Sequence, residues 1–167
     1  GIQDMQLGAR AADRFAVVQA IATDFIERRQ GDRVGLVLFG SRAYLLTPLT
    51  FDLKTVARQL DESTIGLAGR ETAIGDAVGL AVKRLLDRPE NLRVVILLTD
   101  GVSNAGELDP RKAIELAVAN KVRVYTVGIG AESIAVDGLF GSRRINPSAE
   151  LDVAMLTEMA EKTGGHF

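Results

Sequence analysis

The apolar positions of this chain alternate between two spacings. Continuous runs occur at Val34-Gly-Leu-Val-Leu-Phe39 and at Arg93-Val-Val-Ile-Leu-Leu-Thr99, and Val122-Arg-Val-Tyr-Thr-Val127 is a third β-rich stretch. A strand covered on both faces reads as unbroken Val, Ile and Leu, which predicts buried strands near 34–39, 93–99 and 122–128. Between them, apolar residues recur at helical spacing. They are Phe15, Val18, Ile21, Ala22, Phe25 and Ile26; then Leu53, Val56, Ala57 and Leu60; then Ile74, Ala77, Val78, Ala81, Val82 and Leu85; and finally Leu156 and Met159.

The punctuation agrees with these elements. Asp13, Asp52, Asp109-Pro110 and Asp152 stand where N-caps are needed. Arg28 and Arg29 complement a helix dipole before Gly31 ends the first helix, Arg88-Pro89 ends the third, and Gly164-Gly165 end the last. Only Gly40-Ser41 separates 34–39 from a short strand at 43–46, whereas a parallel neighbour would need a crossover of about a dozen residues. That strand is therefore expected to be antiparallel and at an edge. Two irregular segments remain, one with Gly66 and Gly69 and a longer one over 131–150, where a functional or mobile loop is expected. His166-Phe167 read as the opening of one more strand. The pattern as a whole predicts one α/β domain over 1–167, a doubly wound, Rossmann-like, mostly parallel sheet with one antiparallel edge strand and helices on both faces. If Ile96 is buried as its run implies, Ile96→Ala should cost roughly 2–5 kcal/mol, and the exposed Arg111→Ala little.

Composition narrows the function. At 167 residues the chain can bury roughly 70% of its unfolded surface, enough for a real core. Twenty Lys and Arg against 22 Asp and Glu give a net charge of −2, so nothing favours nucleic acid or an anionic membrane as partner. With no cysteine, disulfides, thiolate metal sites and thiol redox chemistry are excluded. No apolar run reaches the roughly 18 residues of a membrane span and no signal-peptide layout opens the chain. The chain reads as a soluble domain or a soluble piece of something larger.

Candidate chemistry concentrates at one sheet edge. Asp100 ends an apolar strand and is followed by Gly101, and open α/β sheets bind ligands at the carboxyl ends of their strands. The alternative for Asp100 is a turn carboxylate. Thr72 precedes a helix and should meet Asp100 at that edge. A hydroxyl and a carboxylate are hard donors suited to Mg²⁺, and the alternative for Thr72 is an ordinary N-cap. Arg70, Glu71, Ser103 and Asn104 lie on the same loops and form the expected partner-binding surface. The single histidine, His166, stands far from a nucleophile in sequence, and no phosphate-binding glycine loop follows a strand, since Gly128-Ile-Gly130 continues Ala-Glu-Ser133. A catalytic residue is therefore not expected.

Five ordered segments carry a family resemblance: Gly31-Asp-Arg-Val-Gly-Leu-Val-Leu-Phe39, Ala43-Tyr-Leu-Leu-Thr-Pro-Leu-Thr50, Thr72-Ala-Ile-Gly-Asp-Ala77, Ile96-Leu-Leu-Thr-Asp-Gly101 and Tyr125-Thr-Val-Gly-Ile-Gly130. With Asn146-Pro-Ser-Ala-Glu-Leu-Asp152 and Thr163-Gly-Gly165 they resemble a von Willebrand factor A (VWA) domain, most closely the bacterial BatA and aerotolerance-operon group. The resemblance implies a metal-ion-dependent adhesion site in which Thr72 and Asp100 are ligands and Mg²⁺ leaves a position for a partner's carboxylate. The family's Asp-x-Ser-x-Ser motif, at the end of a first, central strand, is absent. Gly1-Ile-Gln-Asp-Met5 resembles the residues that the family carries just after those serines, so the chain is expected to begin after the first strand and to hold Mg²⁺ weakly or not at all. The slot between 34–39 and 93–99 should then close up or be filled by another molecule or segment, and the isolated chain should oligomerise or exchange elements. The resemblance further implies a protein-interaction module, not an enzyme. It would belong to a bacterial envelope complex with other VWA proteins or a MoxR-type AAA+ ATPase, held at the inner membrane by segments outside these residues. The periplasmic face is expected and the cytoplasmic face is the alternative. Two further alternatives are a Mg²⁺-dependent hydrolase or phosphotransferase at the same edge, and a metal-free scaffold.

Overall fold

The computed structural model describes residues 2–64, 71–101, 103–129 and 152–167, with side chains in the first helix from Phe15 onward. The elements run α1 (Ile2–Glu27), β1 (Val34–Phe39), β2 (Ala43–Thr50), α2 (Leu53–Glu62), α3 (Ile74–Leu85), a 3₁₀ turn (Glu90–Leu92), β3 (Val94–Thr99), α4 (Pro110–Ala119), β4 (Arg123–Gly128) and α5 (Val153–Thr163). The glycine loop at 66 and 69, Arg70 and the 131–150 segment lie outside the described residues.

Three aspartate caps form as their positions require. The Asp52 carboxylate accepts from the Thr55 backbone N–H at 3.2 Å and its hydroxyl at 2.6 Å. Asp109 accepts from Arg111 N at 2.8 Å, with Pro110 in the first turn of α4, and Asp152 accepts from Met155 N at 2.9 Å. Asp13 does not cap. The helix runs through it from Ile2, because the Ala-rich stretch before it favours helix more than one aspartate opposes it. Arg28 and Arg29 fall just past the last turn of α1. Gln19 of α1 donates its side-chain amide to Leu60 O and Ser63 O, both at 2.9 Å. It thus satisfies carbonyls at the end of α2 and pins the two helices together.

The sheet is in two pieces among the described residues. Antiparallel β1–β2 forms one and parallel β3–β4 the other. The edge strand is antiparallel as expected, but it extends four residues beyond 46. Thr47-Pro48 reads as a breaker, yet Pro48 is exposed on an edge strand, where its missing N–H costs nothing, and the register slips between Val34 and Val37 to accommodate the turn.

The larger core joins both sheets through one helix. Ile74, Val78, Val82 and Leu85 of α3 pack with Leu97, with Ile114 of α4, with Val122 and Val124 around β4, and with Leu156 and Met159 of α5, while Phe39 and Leu49 reach it from the other sheet. A second cluster buries Ile26 of α1 with Leu53, Val56, Ala57 and Leu60 of α2, against Val34 and Leu36. Helices thus cover both faces of β1–β2. The chain's end lies along β4: Thr126 N donates to His166 O at 3.0 Å, and Gly165 lies so close that a Cβ there would be 2.0 Å from Val124 O. This backbone bond sits where a further strand was expected, although 166–167 are not in strand conformation.

Of the two outcomes expected for the slot between 34–39 and 93–99, closing up is not seen: a cleft of about 2550 Å³ lies between β1 and β3, lined by α1, β1, α3 and β3. Ile96 is consequently not core. It is 37% exposed and Val94 40%, whereas Leu97, on the opposite face, is 4%. An unbroken apolar run describes a strand's composition; what covers each face is decided by elements distant in sequence.

Leu97→Ala should therefore cost about 2–5 kcal/mol and Ile96→Ala only about 1 kcal/mol, read as the separation of their urea midpoints. Equal midpoints would place the core wrongly. A pH effect follows from α2. Thr55's hydroxyl and backbone N–H, bonded to Asp52, hold its carboxyl below the ordinary 3.8. A depressed folded value makes the cap's contribution complete above 3.8 and lost as pH falls through the folded value. Asp52→Asn, which retains a capping oxygen, should flatten the acid limb of thermal stability below about pH 4.

Candidate functional site

The carboxyl ends of β1 and β3 meet at the start of α3. Gly40, just past β1, accepts a hydrogen bond from Ala73 N at 2.7 Å. Gly101, just past β3, faces Thr72 so closely that a Cβ there would be 3.3 Å from Thr72 Oγ1. The two strands therefore run in the same direction and deliver their ends to Thr72, although they do not pair.

Thr72 is not a cap. Ala73 occupies the N-cap position of α3 and no side chain caps it, so the alternative reading of Thr72 is overturned. The segment is held from outside instead. Asn104 clasps the Thr72 backbone from both sides, accepting from Thr72 N through Oδ1 at 2.8 Å and donating its own N–H to Thr72 O at 3.1 Å. Glu71 is exposed, and its N–H points to Ser41 Oγ at 3.4 Å. Asp100 and Ser103 are half-buried on the adjoining loop, where Gly101 N donates to Thr99 Oγ1 at 3.3 Å. Of the six residues singled out, the structure brings Thr72, Asp100, Ser103, Asn104 and Glu71 to one loop cluster, and Arg70 lies outside the described residues.

Asp76 was missed. In the first turn of α3 its carboxylate accepts from Glu107 N at 3.0 and 3.1 Å and from Leu108 N at 2.7 Å, clamping the loop after β3 to the helix that carries Thr72. Two glycines make the approach possible. A Cβ on Gly75 would lie 1.9 Å from Leu108 O, and one on Gly106, whose φ is +98°, would lie 2.8 Å from Asp76 Oδ2. The sequence signal was an acid in a helix's first turn with glycine before it, which also describes ordinary dipole compensation.

The cluster presents oxygen donors, a hydroxyl and a carboxylate, of the kind a hard cation takes. Their chemistry fits Mg²⁺; their number falls short, because two donors leave most of an octahedral shell to water. Among the described residues no group of three or more His, Cys, Asp or Glu is arranged to hold a metal.

Residues 10–167 match the von Willebrand factor type A domain. The chain belongs to that family. It is 31% identical over 159 residues to an uncharacterised protein of Borreliella burgdorferi, an alignment that takes in 93% of this chain and 47% of that protein. The chain thus spans about half the length of the curated relative it matches. The structure of BatB, a conserved hypothetical protein from Bacteroides thetaiotaomicron, superposes with a TM-score of 0.69 at 25% identity, covering 91% of this chain and 77% of that one. An aerotolerance-related membrane protein from Bacteroides fragilis superposes equally, at 0.69 and 23% identity, covering 91% and 78%. The VWA fold and the likeness to the Bat group are thereby established. Members of the family are typically interaction modules. No helix among the described residues is long and apolar enough to cross a membrane.

If Asp76 is the clamp, Asp76→Ala should cost about 1–3 kcal/mol, the range for losing hydrogen bonds to a charged acceptor at an exposed to half-buried site. It should also speed hydrogen exchange at the Glu107 and Leu108 amides. Unchanged exchange there would show that the loop is held by something else.

Proposed function

We propose that this VWA domain is a protein-interaction module whose contact surface is the loop cluster of Thr72, Asp100, Ser103 and Asn104 with Glu71 and Arg70. The observation that carries the reading is a threonine at a helix start that does no capping, brought to the strand end that bears Asp100. A hydroxyl without a local structural task beside a carboxylate is poorly explained as turn geometry and well explained as a pair of oxygen donors. Asn104 and Asp76 fix the two loops, so a partner would meet a preorganised surface. Mg²⁺, when held by Thr72 and Asp100, supplies a coordination position for a partner's carboxylate. With only these two donors it binds weakly. In the parent protein the module works within a bacterial envelope complex, with other VWA proteins or a MoxR-type AAA+ ATPase as partner, at the inner membrane and on its periplasmic face. The likeness to BatB and to an aerotolerance-related membrane protein supports this setting.

Calorimetric titration with Mg²⁺ tests the pair. Weak, saturable binding is expected, reduced at least about tenfold, or about 1.4 kcal/mol, in Asp100→Ala and in Thr72→Ala, with thermal stability in EDTA unchanged. Binding indifferent to both substitutions would remove the proposed site. Mg²⁺-dependent turnover of phosphoesters that disappears in Asp100→Ala would replace the interaction reading with an enzymatic one.

A further inference from the structure

The net charge of −2 hides an uneven distribution. At the end of the domain where β1, β3 and β4 start, residues 27–33, 51–54, 83–93, 120–123 and 161–164 carry eleven Lys and Arg against six Asp and Glu. At the opposite end, residues 40–42, 71–76, 100–109 and 152 carry Arg42 alone against six acids. Helices α1, α3, α4 and α5 finish at the basic end, so part of the polarity compensates their dipoles. Dipoles do not account for the apolar side chains set among the cations. Phe51 is 62% exposed, Leu86 45% and Leu92 64%, and the Arg33 guanidinium lies over the Phe51 ring at 4.6 Å. Asp87 and Glu90 are taken up by Arg88 and Lys121, whereas Arg33, Arg84 and Arg123 are exposed and make no ion pair among the described residues. The turns are also held in place. Arg93 donates to the carbonyls of Leu86, Arg88 and Asn120 at 2.8, 2.9 and 2.7 Å, which ties the ends of α3 and α4 together.

We propose that this end of the domain docks on an anionic phospholipid bilayer, with Arg33, Arg84 and Arg123 at the headgroup phosphates and Phe51, Leu86 and Leu92 entering the acyl boundary. Cations alone would suit any polyanion. Exposed apolar side chains beside them suit a bilayer, which offers phosphates at its surface and hydrocarbon just beneath. The residues lie on turns beyond the strands, so the inference holds whether or not the slot between β1 and β3 is occupied. The loop cluster of Thr72 and Asp100 stands at the other end of the six-residue strands, about 20 Å away, and would face outward from the bilayer. The proposal adds to the membrane setting given above which end of the domain meets the lipid. A domain tethered nearby need not touch the bilayer, so failure here leaves that setting standing.

The test is co-sedimentation of the full chain, in EDTA, with vesicles of phosphatidylcholine and phosphatidylglycerol in equal parts, against vesicles of phosphatidylcholine alone. Binding to the anionic vesicles only is expected, and it should weaken as NaCl is raised. The combined Arg33→Gln, Arg84→Gln and Arg123→Gln variant should bind at least about tenfold more weakly. A variant with the same change in net charge at the opposite end, Arg42→Gln, Arg111→Gln and Lys112→Gln, should bind like the unaltered chain. Phe51→Ser with Leu92→Ser should also reduce binding. No binding to anionic vesicles at low salt, or equal loss in the two charge variants, overturns the proposal. So does full vesicle binding by the Phe51→Ser, Leu92→Ser variant together with equally tight binding of the unaltered chain to polyglutamate, since an acidic protein would then be the better occupant.

Discussion

Asp76 and the two glycines around it set the geometry at the start of α3, and most of the fold hangs from that helix. Its carboxylate gathers the amides of Glu107 and Leu108 while Gly75 lets the Leu108 carbonyl come within a distance no side chain tolerates. One turn earlier Ala73 holds Gly40 and Thr72 is clasped by Asn104. The loops after β1 and β3 are thus tied to the same helical end, and the body of α3 packs toward both sheets. A helix fixed at its end and along its side connects two sheets that do not pair among the described residues. Hydrogen bonds to a charged acceptor, each worth about 1.5–3 kcal/mol, suit this task better than neutral ones, because loops carry little apolar burial of their own.

What the sequence made legible divides along the range of the forces involved. The caps at Asp52, Asp109 and Asp152 were readable because each is satisfied by residues two or three positions away. The inner face of α2, Leu53, Val56, Ala57 and Leu60, was readable because helical spacing alone puts those residues together. The antiparallel edge strand followed from the shortness of the Gly40-Ser41 turn. The exposure of Ile96 and the extension of β2 through Pro48 depend on what lies beside them, and no local pattern records that. The VWA assignment succeeded because it used order and spacing over nearly the whole chain, which integrates the long-range information that single windows lack.

The candidate site was legible in its components and not in its mechanics. Thr72 and Asp100 stood out as hard donors at strand and helix ends. Each had a local alternative, a turn carboxylate for Asp100 and, for Thr72, an N-cap, the commoner use of a threonine at a helix start; the cap of α3 falls on Ala73 instead. Asn104 reads from sequence as a surface contact residue, yet its side-chain carbonyl is committed to the Thr72 amide. Its first effect on any partner is through the shape of the loop. Asp76 was hidden because an acid in a first helical turn is ordinary; only the loop folded over it reveals the three backbone contacts it makes.

The open cleft looks at first like a violation of the rule that buried backbone groups are paired. The expectation that the slot closes up or is filled by another molecule or segment counted each unpaired group at the cost of a desolvated one, about 1–3 kcal/mol. That cost applies only where water is excluded. Val94 and Ile96 are exposed and the cleft measures about 2550 Å³, so water can reach these edges and the penalty falls on the apolar walls instead. At the loop end the constraint is local: Ala73 N donates to Gly40 O, Asn104 clasps the Thr72 backbone and Asp76 gathers the loop after β3, so the ends of β1 and β3 are fixed at Thr72 although the two strands do not pair among the described residues.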